Sequence, residues 1–355
     1  MNFKEKILSK SNSFVYYKET NEKLLEEVDL LKNEIENLKS DKRMVLKDEF
    51  LKTYGSAISF CNKNYMDYYL RDDFEDKLKE VTKNLDKESK EKFKLFFLRS
   101  LFVHMITRDS LYSEEEISNQ KIFSEFEKKN NELNKIEEFD FFGSYNIHAF
   151  LDLNLNDDEK KFIKDKDIID AGAFTGDTSL PLSGITEKNV YAFEPFEDSF
   201  YLLNKNIEEN NIKNIVPVNK SLGNINGERT LFLSGENIQG ITSDPNIRSY
   251  DNEIKVQEIT IDKFVEENNL NLGLITIDVE GAEMDLLEGA INTIKNQKPI
   301  LCISIYHKVS DYFNIIPWIA NLNLGYEFEV YKEQPWPFLA DTMVKCSVKN
   351  LLRNN

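Results

Sequence analysis

The sequence predicts a doubly wound α/β fold with a mostly parallel sheet in its C-terminal part, preceded by an α-helical region with a short coiled coil. Three observations lead there. Beyond about residue 146 short apolar runs alternate with stretches of helical periodicity, which is the pattern of strands joined by crossover helices. One of those runs turns through two glycines into a helix start, as strands at ligand-binding edges do. Near the other end, Leu24, Val28, Leu31, Ile35 and Leu38 recur at alternating spacings of four and three, a heptad seam flanked by Glu and Lys. We therefore divide the chain into an N-terminal helix with a coiled-coil seam (1–45), a helical domain (46–145) and an α/β domain (146–355).

Composition narrows the function classes. At 355 residues and 41% hydrophobic content the chain can bury a real core in more than one region. The 45 basic and 63 acidic residues leave a net charge of -18, which repels a phosphate backbone and speaks against a nucleic-acid partner. Cys61, Cys302 and Cys346 form no metal-binding or redox spacing and read as small buried residues of a reducing compartment. Neither a leader segment nor an uncharged apolar run long enough to span a membrane is present, so a cytoplasmic location is expected. The seam covers only about two heptads, so pairing into a homo-oligomer and packing on the protein's own helices stay equally open.

Along the helical region Phe93, Phe97, Leu101, His104 and Met105 share a stripe, and His104 reads as a packed residue rather than a ligand. His148 has no motif around it. Strands are expected at Asp167–Ala171, Asn189–Phe193, Asn214–Val218, Gly273–Val279, Pro299–Tyr306 and Tyr326–Tyr331, with a last apolar run at Thr342–Val348. Phe196, Phe200, Leu203 and Ile207 mark one helix between them, and Met284, Leu287, Ile291 and Ile294 another. Between the third and fourth of these strands, Thr230–Leu233 and Lys255–Ile259 read as an extra hairpin with a long polar connection that could serve as a substrate-facing lid.

The segment Asp167-Ile168-Ile169-Asp170-Ala171-Gly172-Ala173-Phe174-Thr175-Gly176-Asp177-Thr178 is the candidate cofactor loop. Its glycines are spaced Gly-x-x-x-Gly, unlike the Gly-x-Gly-x-x-Gly of dinucleotide binders. Asp170 would repel a pyrophosphate, whereas it would attract the ammonium and sulfonium of S-adenosylmethionine. The alternative is an Asp that only caps the turn. The next strand ends in Glu194, where a carboxylate can accept both ribose hydroxyls. Asn219, Lys220 and Ser221, after the third strand, either border the adenine or serve turn geometry. The cofactor set is thus Asp170, Gly172, Ala173, Gly176, Asp177, Thr178, Glu194 and Ser221, with Asp278 from the fourth strand end.

That fourth strand runs Ile275-Thr276-Ile277-Asp278-Val279-Glu280-Gly281-Ala282-Glu283, followed by Leu287-Glu288-Gly289-Ala290. With the glycine loop, Phe193-Glu194-Pro195 and Tyr306-His307, it resembles the FkbM family of methyltransferases from about Asp167 to Val348. The resemblance implies a Rossmann-like methyltransferase fold and S-adenosylmethionine-dependent O-methyl transfer to a hydroxyl of a sugar, glycan or secondary metabolite. Pro181 departs from the pattern: it is tolerated only in a first helical turn, and a late helix start would cost Asp177 and Thr178 their contacts.

An alcohol acceptor needs a base, and Asp278, Glu280 and His307 are the catalytic candidates at the fourth and fifth strand ends. His307 is favoured as base because its free pKa lies nearest neutrality, with Asp278 holding the acceptor hydroxyl or the cofactor's amino group. A competing arrangement makes Asp278, Glu280 or Glu283, and His307 ligands of a divalent metal. Glu283 alone reads equally as a helix N-terminal carboxylate. The fourth strand end lacks the Asn/Asp-Pro-Pro-aromatic run of amino methylation, and no Pro-Cys serves cytosine methylation. A small-molecule or carrier-linked sugar is the expected partner. The remaining alternatives are an NAD-dependent oxidoreductase and a catalytically inactive coiled-coil scaffold.

Overall fold

The structure, a computed structural model, describes residues 63–101, 153–233, 250, 252–332 and 342–349. The coiled-coil seam, the boundary near 140–150, Cys61, His104, Met105, His148 and the hairpin's connecting loop lie outside the described residues. Three helices come first: α1 (Lys63–Tyr69), α2 (Phe74–Thr82) and α3 (Lys87–Leu101). The α/β part follows with α4 (Asp157–Ile163), β1 (Asp167–Ala171), α5 (Ser179–Leu182), β2 (Val190–Phe193), α6 (Glu197–Glu209) and β3 (Ile215–Val218). Next come β4 (Ser221–Leu222), β5 (Gly227–Leu233), β6 (Asn252–Ile259), α7 (Ile261–Asn268) and β7 (Leu272–Ile277). The chain continues through α8 (Glu283–Gly289), α9 (Ile291–Gln297), β8 (Ile300–Ser304), α10 (Val309–Asn321), β9 (Glu327–Lys332) and β10 (Thr342–Ser347).

Seven strands form one sheet in the order β3-β2-β1-β7-β8-β10-β9. The first five run parallel, while β10 lies antiparallel to both β8 and β9. Strand order reverses between β1 and β7, so the crevice outside their carboxyl ends is where an open sheet of this kind takes a ligand. Strand periodicity sorts the apolar side chains to two faces. Ile169, Ala171, Ile275 and Ile277 enter the core beneath α7 to α10, and Ile168 and Leu274 enter the opposite core beneath α4 to α6.

The expected hairpin is present: β5 and β6 pair antiparallel with Thr230 opposite Lys255, and β4 joins β6 to make a second, three-stranded sheet. Its buried Glu258 accepts from the Arg229 guanidinium at 2.7 and 2.9 Å, and the same guanidinium reaches Asp285 of α8 at 3.2 Å. Where one helix was expected from Met284 to Ile294, the structure breaks at Ala290 (φ -110°, ψ 4°) into α8 and α9. A Cβ on the adjoining Gly289 would sit 2.0 Å from the Gly223 carbonyl oxygen, so the small sheet presses on the helix where it breaks.

The first three helices share the main core rather than building a separate one. Phe93 and Phe97 lie edge-on to Phe313 at 5.8 and 5.3 Å, and Tyr68 stacks on the same ring at 4.6 Å. Ser89 accepts the Val330 amide of β9 at 3.2 Å, and the Tyr65 hydroxyl donates to the Tyr306 carbonyl at 3.3 Å. Cys302 and Cys346 are free thiols, fully buried as expected. Among the described residues no helix is long and apolar enough to cross a membrane.

Candidate active site

Asp170 leaves β1 two residues before the first glycine, with 2% of its surface exposed. Its two oxygens accept from the Ser179 and Thr276 hydroxyls, one on α5 and one on β7. Its lone pairs therefore fasten the turn to both neighbours, and what reaches the cleft is its charge. Gly172 (φ +84°) is required by close approach: a Cβ there would lie 1.8 Å from the Asp278 carbonyl oxygen. The loop then holds Phe174 at φ 46°, an unusual conformation for a bulky residue, and turns again at Gly176 (φ +98°). Asn206 of α6 donates to the Thr175 carbonyl at 2.8 Å and pins the loop from the far side. Pro181 lies third in α5, within the first turn, so the helix starts immediately after Asp177 and Thr178.

Glu194, at the tip of β2, is 7% exposed and receives the Phe174 amide at 3.0 Å and the Phe196 amide at 2.8 Å. Burial pushes its carboxyl up to about 8 against the pull of those two amides, with the charges of Asp177 and Asp170 adding to the rise. Asn219 bridges the Glu194 and Pro195 carbonyls at 3.0 and 3.3 Å, which is turn chemistry. Ser221 turns into the small sheet, where its hydroxyl meets the Gln257 carbonyl and Glu258 at 3.4 Å. Of the two roles expected for it, beside the adenine or in local geometry, these contacts favour the second: the hydroxyl of a residue on β4 is drawn to the neighbouring strand.

The ends of β7 and β8 bring four ionisable groups together. His307 Nδ1 donates to Glu283 at 2.7 Å, and its Nε2 lies 3.3 Å from Asp278 and 3.8 Å from Glu280. The ring is 5% exposed and Glu283 is fully buried, whereas the Asp278 and Glu280 side chains keep 44% and 33% of their surface. Glu280 (φ 51°) and Gly281 (φ 96°) turn the chain sharply after β7, and the Gly281 amide caps Glu283 at 3.2 Å. Burial alone would lower the imidazole's pKa, but the charges of Glu283, Glu280 and Asp278 push it up to about 10. The free pKa of histidine, the ground for expecting a base here, thus does not describe this ring: the three carboxylates favour its protonated, hydrogen-bond-donating form. Burial would likewise raise Glu283, yet the imidazolium beside it holds its carboxyl below the ordinary value. Nearby Asp311 is pushed up to about 8 by burial and by the charge of Glu283.

Sequence reasoning missed the hydroxyls of Ser179 and Thr276, the Phe174 amide and Asp311. The first two were visible only as polar residues inside otherwise apolar segments. Glu283 was weighed as a helix-terminal acid and is also the partner that orients His307.

The sheet order departs from the 3-2-1-4-5-6 arrangement of dinucleotide-binding domains by the reversed β10, which separates β9 from β8. Residues 170–328, which contain both strand-end clusters, match the profile of the methyltransferase FkbM domain. This stretch of the chain belongs to the FkbM methyltransferase family. Methyl transfer dependent on S-adenosylmethionine is accordingly the general activity of the FkbM domain. Among solved structures, the methyltransferase FkbM from Methylobacillus flagellatus KT is similar at TM-score 0.51 and 17% identity, covering 86% of this chain and 71% of its own. That is a likeness of fold. A putative methyltransferase from Streptococcus mutans in complex with SAH aligns at TM-score 0.31 and 16% identity, over 53% of this chain and 93% of the other. No curated protein matches. The match runs from the last residues of β1 to the start of β9.

Proposed function

We propose that the protein is a cytoplasmic O-methyltransferase that binds S-adenosylmethionine along the ends of β1 and β2 and methylates a hydroxyl of a sugar, glycan or secondary metabolite. The donor set supports that cofactor: Asp170, Asp177, Asp278 and Glu280 stand at or just after the ends of β1 and β7, where their charge suits a cationic amino acid and sulfonium and opposes a pyrophosphate, while Glu194, raised by burial, contributes hydrogen bonds rather than charge. When bound, S-adenosylmethionine supplies an activated methyl carbon. Gly172 and Gly176 keep the loop backbone close to the nucleoside. Ala173 lies between them, and Asp177 and Thr178 lead into α5. Glu194, already fixed by two amides, offers its remaining lone pairs to a ribose diol.

The single observation that carries the reading is the Asp278–Glu280–His307 cluster beside the glycine turn. The amide of Asp278 donates to the carbonyl of Ala171 at 3.0 Å, which ties the end of β7 to the start of the loop. With His307 protonated, Asp278 is the group that takes the proton of the acceptor hydroxyl, Glu280 adds negative potential, and the ring orients Asp278. Alignment of the acceptor by these groups supplies the rest of the rate.

Calorimetric titration with S-adenosylhomocysteine and, separately, NAD tests the cofactor. Transfer of labelled methyl to a panel of free and carrier-linked sugars then tests the acceptor. Binding of the homocysteine compound with label in a base-stable ether is expected. Failure of protein checked free of retained ligand to bind it, or label recovered on nitrogen, overturns the proposal.

A further inference from the structure

The Nε2 of His307 and the Oε2 of Glu283 are buried and meet no hydrogen-bond partner. Nε2 has Asp278 at 3.3 Å as an ion-pair neighbour but no hydrogen bond, and a buried ring nitrogen without one costs about 1–3 kcal/mol unless something fills the position. It is aimed at two half-exposed carboxylates. We propose that His307 Nε2, Asp278 and Glu280 form a site for one divalent transition-metal ion of the manganese type, with Glu283 as the outer carboxylate that fixes the ring.

Distances fit the assignment. Two ligand atoms each about 2.1 Å from an ion and roughly at right angles or slightly wider stand about 3.0–3.4 Å apart. His307 Nε2 and Asp278 Oδ1 are at 3.3 Å, and Glu280 Oε2, at 3.8 Å, needs only a small inward rotation of a side chain that is partly in solvent. Metal-bound histidines almost always give their other N–H to a carboxylate, and here Nδ1 donates to Glu283 at 2.7 Å. A set using Glu283 as a direct ligand with Asp278 and His307, whose donor atoms lie within 4.8 Å of one another, is less favourable. Glu283 Oε1 already holds both Nδ1 of the ring and the Gly281 amide, which places this carboxylate on the Nδ1 side of the imidazole, away from Nε2. An ion entering the site displaces the Nε2 proton to solvent; two carboxylates with the imidazole so made neutral balance the charge of a divalent ion, and a mixed oxygen and imidazole set suits manganese better than magnesium or calcium. The exposed sides of Asp278 and Glu280 leave open positions toward solvent, where an acceptor oxygen can bind.

The inference deepens the reading of this cluster as acceptor machinery and rests on it for its role, but the ion's binding can be measured alone. The probe is Mn(II) added to the chelator-treated full chain, with free ion followed by electron paramagnetic resonance. One tight ion per chain is expected, with nitrogen hyperfine coupling in the pulsed spectrum. Asp278→Asn, Glu280→Gln and Glu283→Gln should each weaken it by about 10- to 100-fold. Asp157→Asn with Asp158→Asn, on the exposed start of α4, should leave it unchanged. Absence of a tight class, or a tight class indifferent to Asp278→Asn and Glu280→Gln, overturns the proposal; the latter would be the weak surface binding of an acidic chain. A protein that binds S-adenosylhomocysteine but no Mn(II) loses the metal site alone. One that binds Mn(II) but not S-adenosylhomocysteine loses the methyltransferase reading and keeps the site.

Discussion

At the ends of β1 and β2 the carboxylates of Asp170 and Glu194 have their oxygens taken by hydroxyls and amides of the chain itself. At the ends of β7 and β8 the buried Nε2 of His307 and Oε2 of Glu283 meet no such donor or acceptor. The first pair is spent on shape and the second cluster is held in reserve for chemistry. Buried polar groups are nearly always satisfied, and among the unsatisfied ones this pair lies beside the partly exposed carboxylates of Asp278 and Glu280.

Substitutions can break this contrast. Asp278→Asn should have the largest effect, lowering the turnover number for methyl transfer by about 10²–10⁴ while S-adenosylhomocysteine affinity changes much less. Equal losses in both would put Asp278 on the cofactor side. His307→Ala removes the partner of a fully buried carboxylate, and the denaturant midpoint should report a loss of about 3–5 kcal/mol. Thr276→Val strips one hydroxyl from Asp170 and should cost about 1–3 kcal/mol by the same measurement, with cofactor affinity falling in step as the loop loosens. An unchanged stability would show that Asp170 is not spent on shape.

A further effect concerns pH. The Glu194 carboxyl is raised from 4.5 to about 8 in the folded chain, so folding favours its protonated form. That stability is complete below the unfolded value and is lost as pH rises through about 8. Unfolding midpoints between about pH 5 and about pH 9 should therefore fall less steeply in Glu194→Gln than in the parent. Asp311, raised to about 8 as well, gives both proteins the same remaining slope.

Much of this arrangement was legible in the sequence because it follows from local periodicity. Strand β1 was expected at its observed limits, the hairpin was expected though its strands are longer than read and its register was not given, and Asp170, Glu194, Asp278 and His307 fell at or just beyond strand ends. What sequence could not carry was proximity between distant segments. Nothing local reveals that β10 inserts between β8 and β9, that Gly289 meets Gly223, or that Ser221 faces Glu258. The charge state of His307 lay beyond local reading for the same reason. Its value is set by three carboxylates whose common meeting point is a tertiary fact.

The bond from Tyr65 to the Tyr306 carbonyl has a practical consequence for anyone wishing to transplant this enzyme. A gene fusion cut to the family match at 170–328 would keep every candidate reacting group. It would also discard α1 to α3, laying bare the aromatic surface of Tyr312 and Phe313, and lose β10, which pairs with β8 directly ahead of His307. The portable unit is larger than the domain that names it, and its foundations are poured before residue 102.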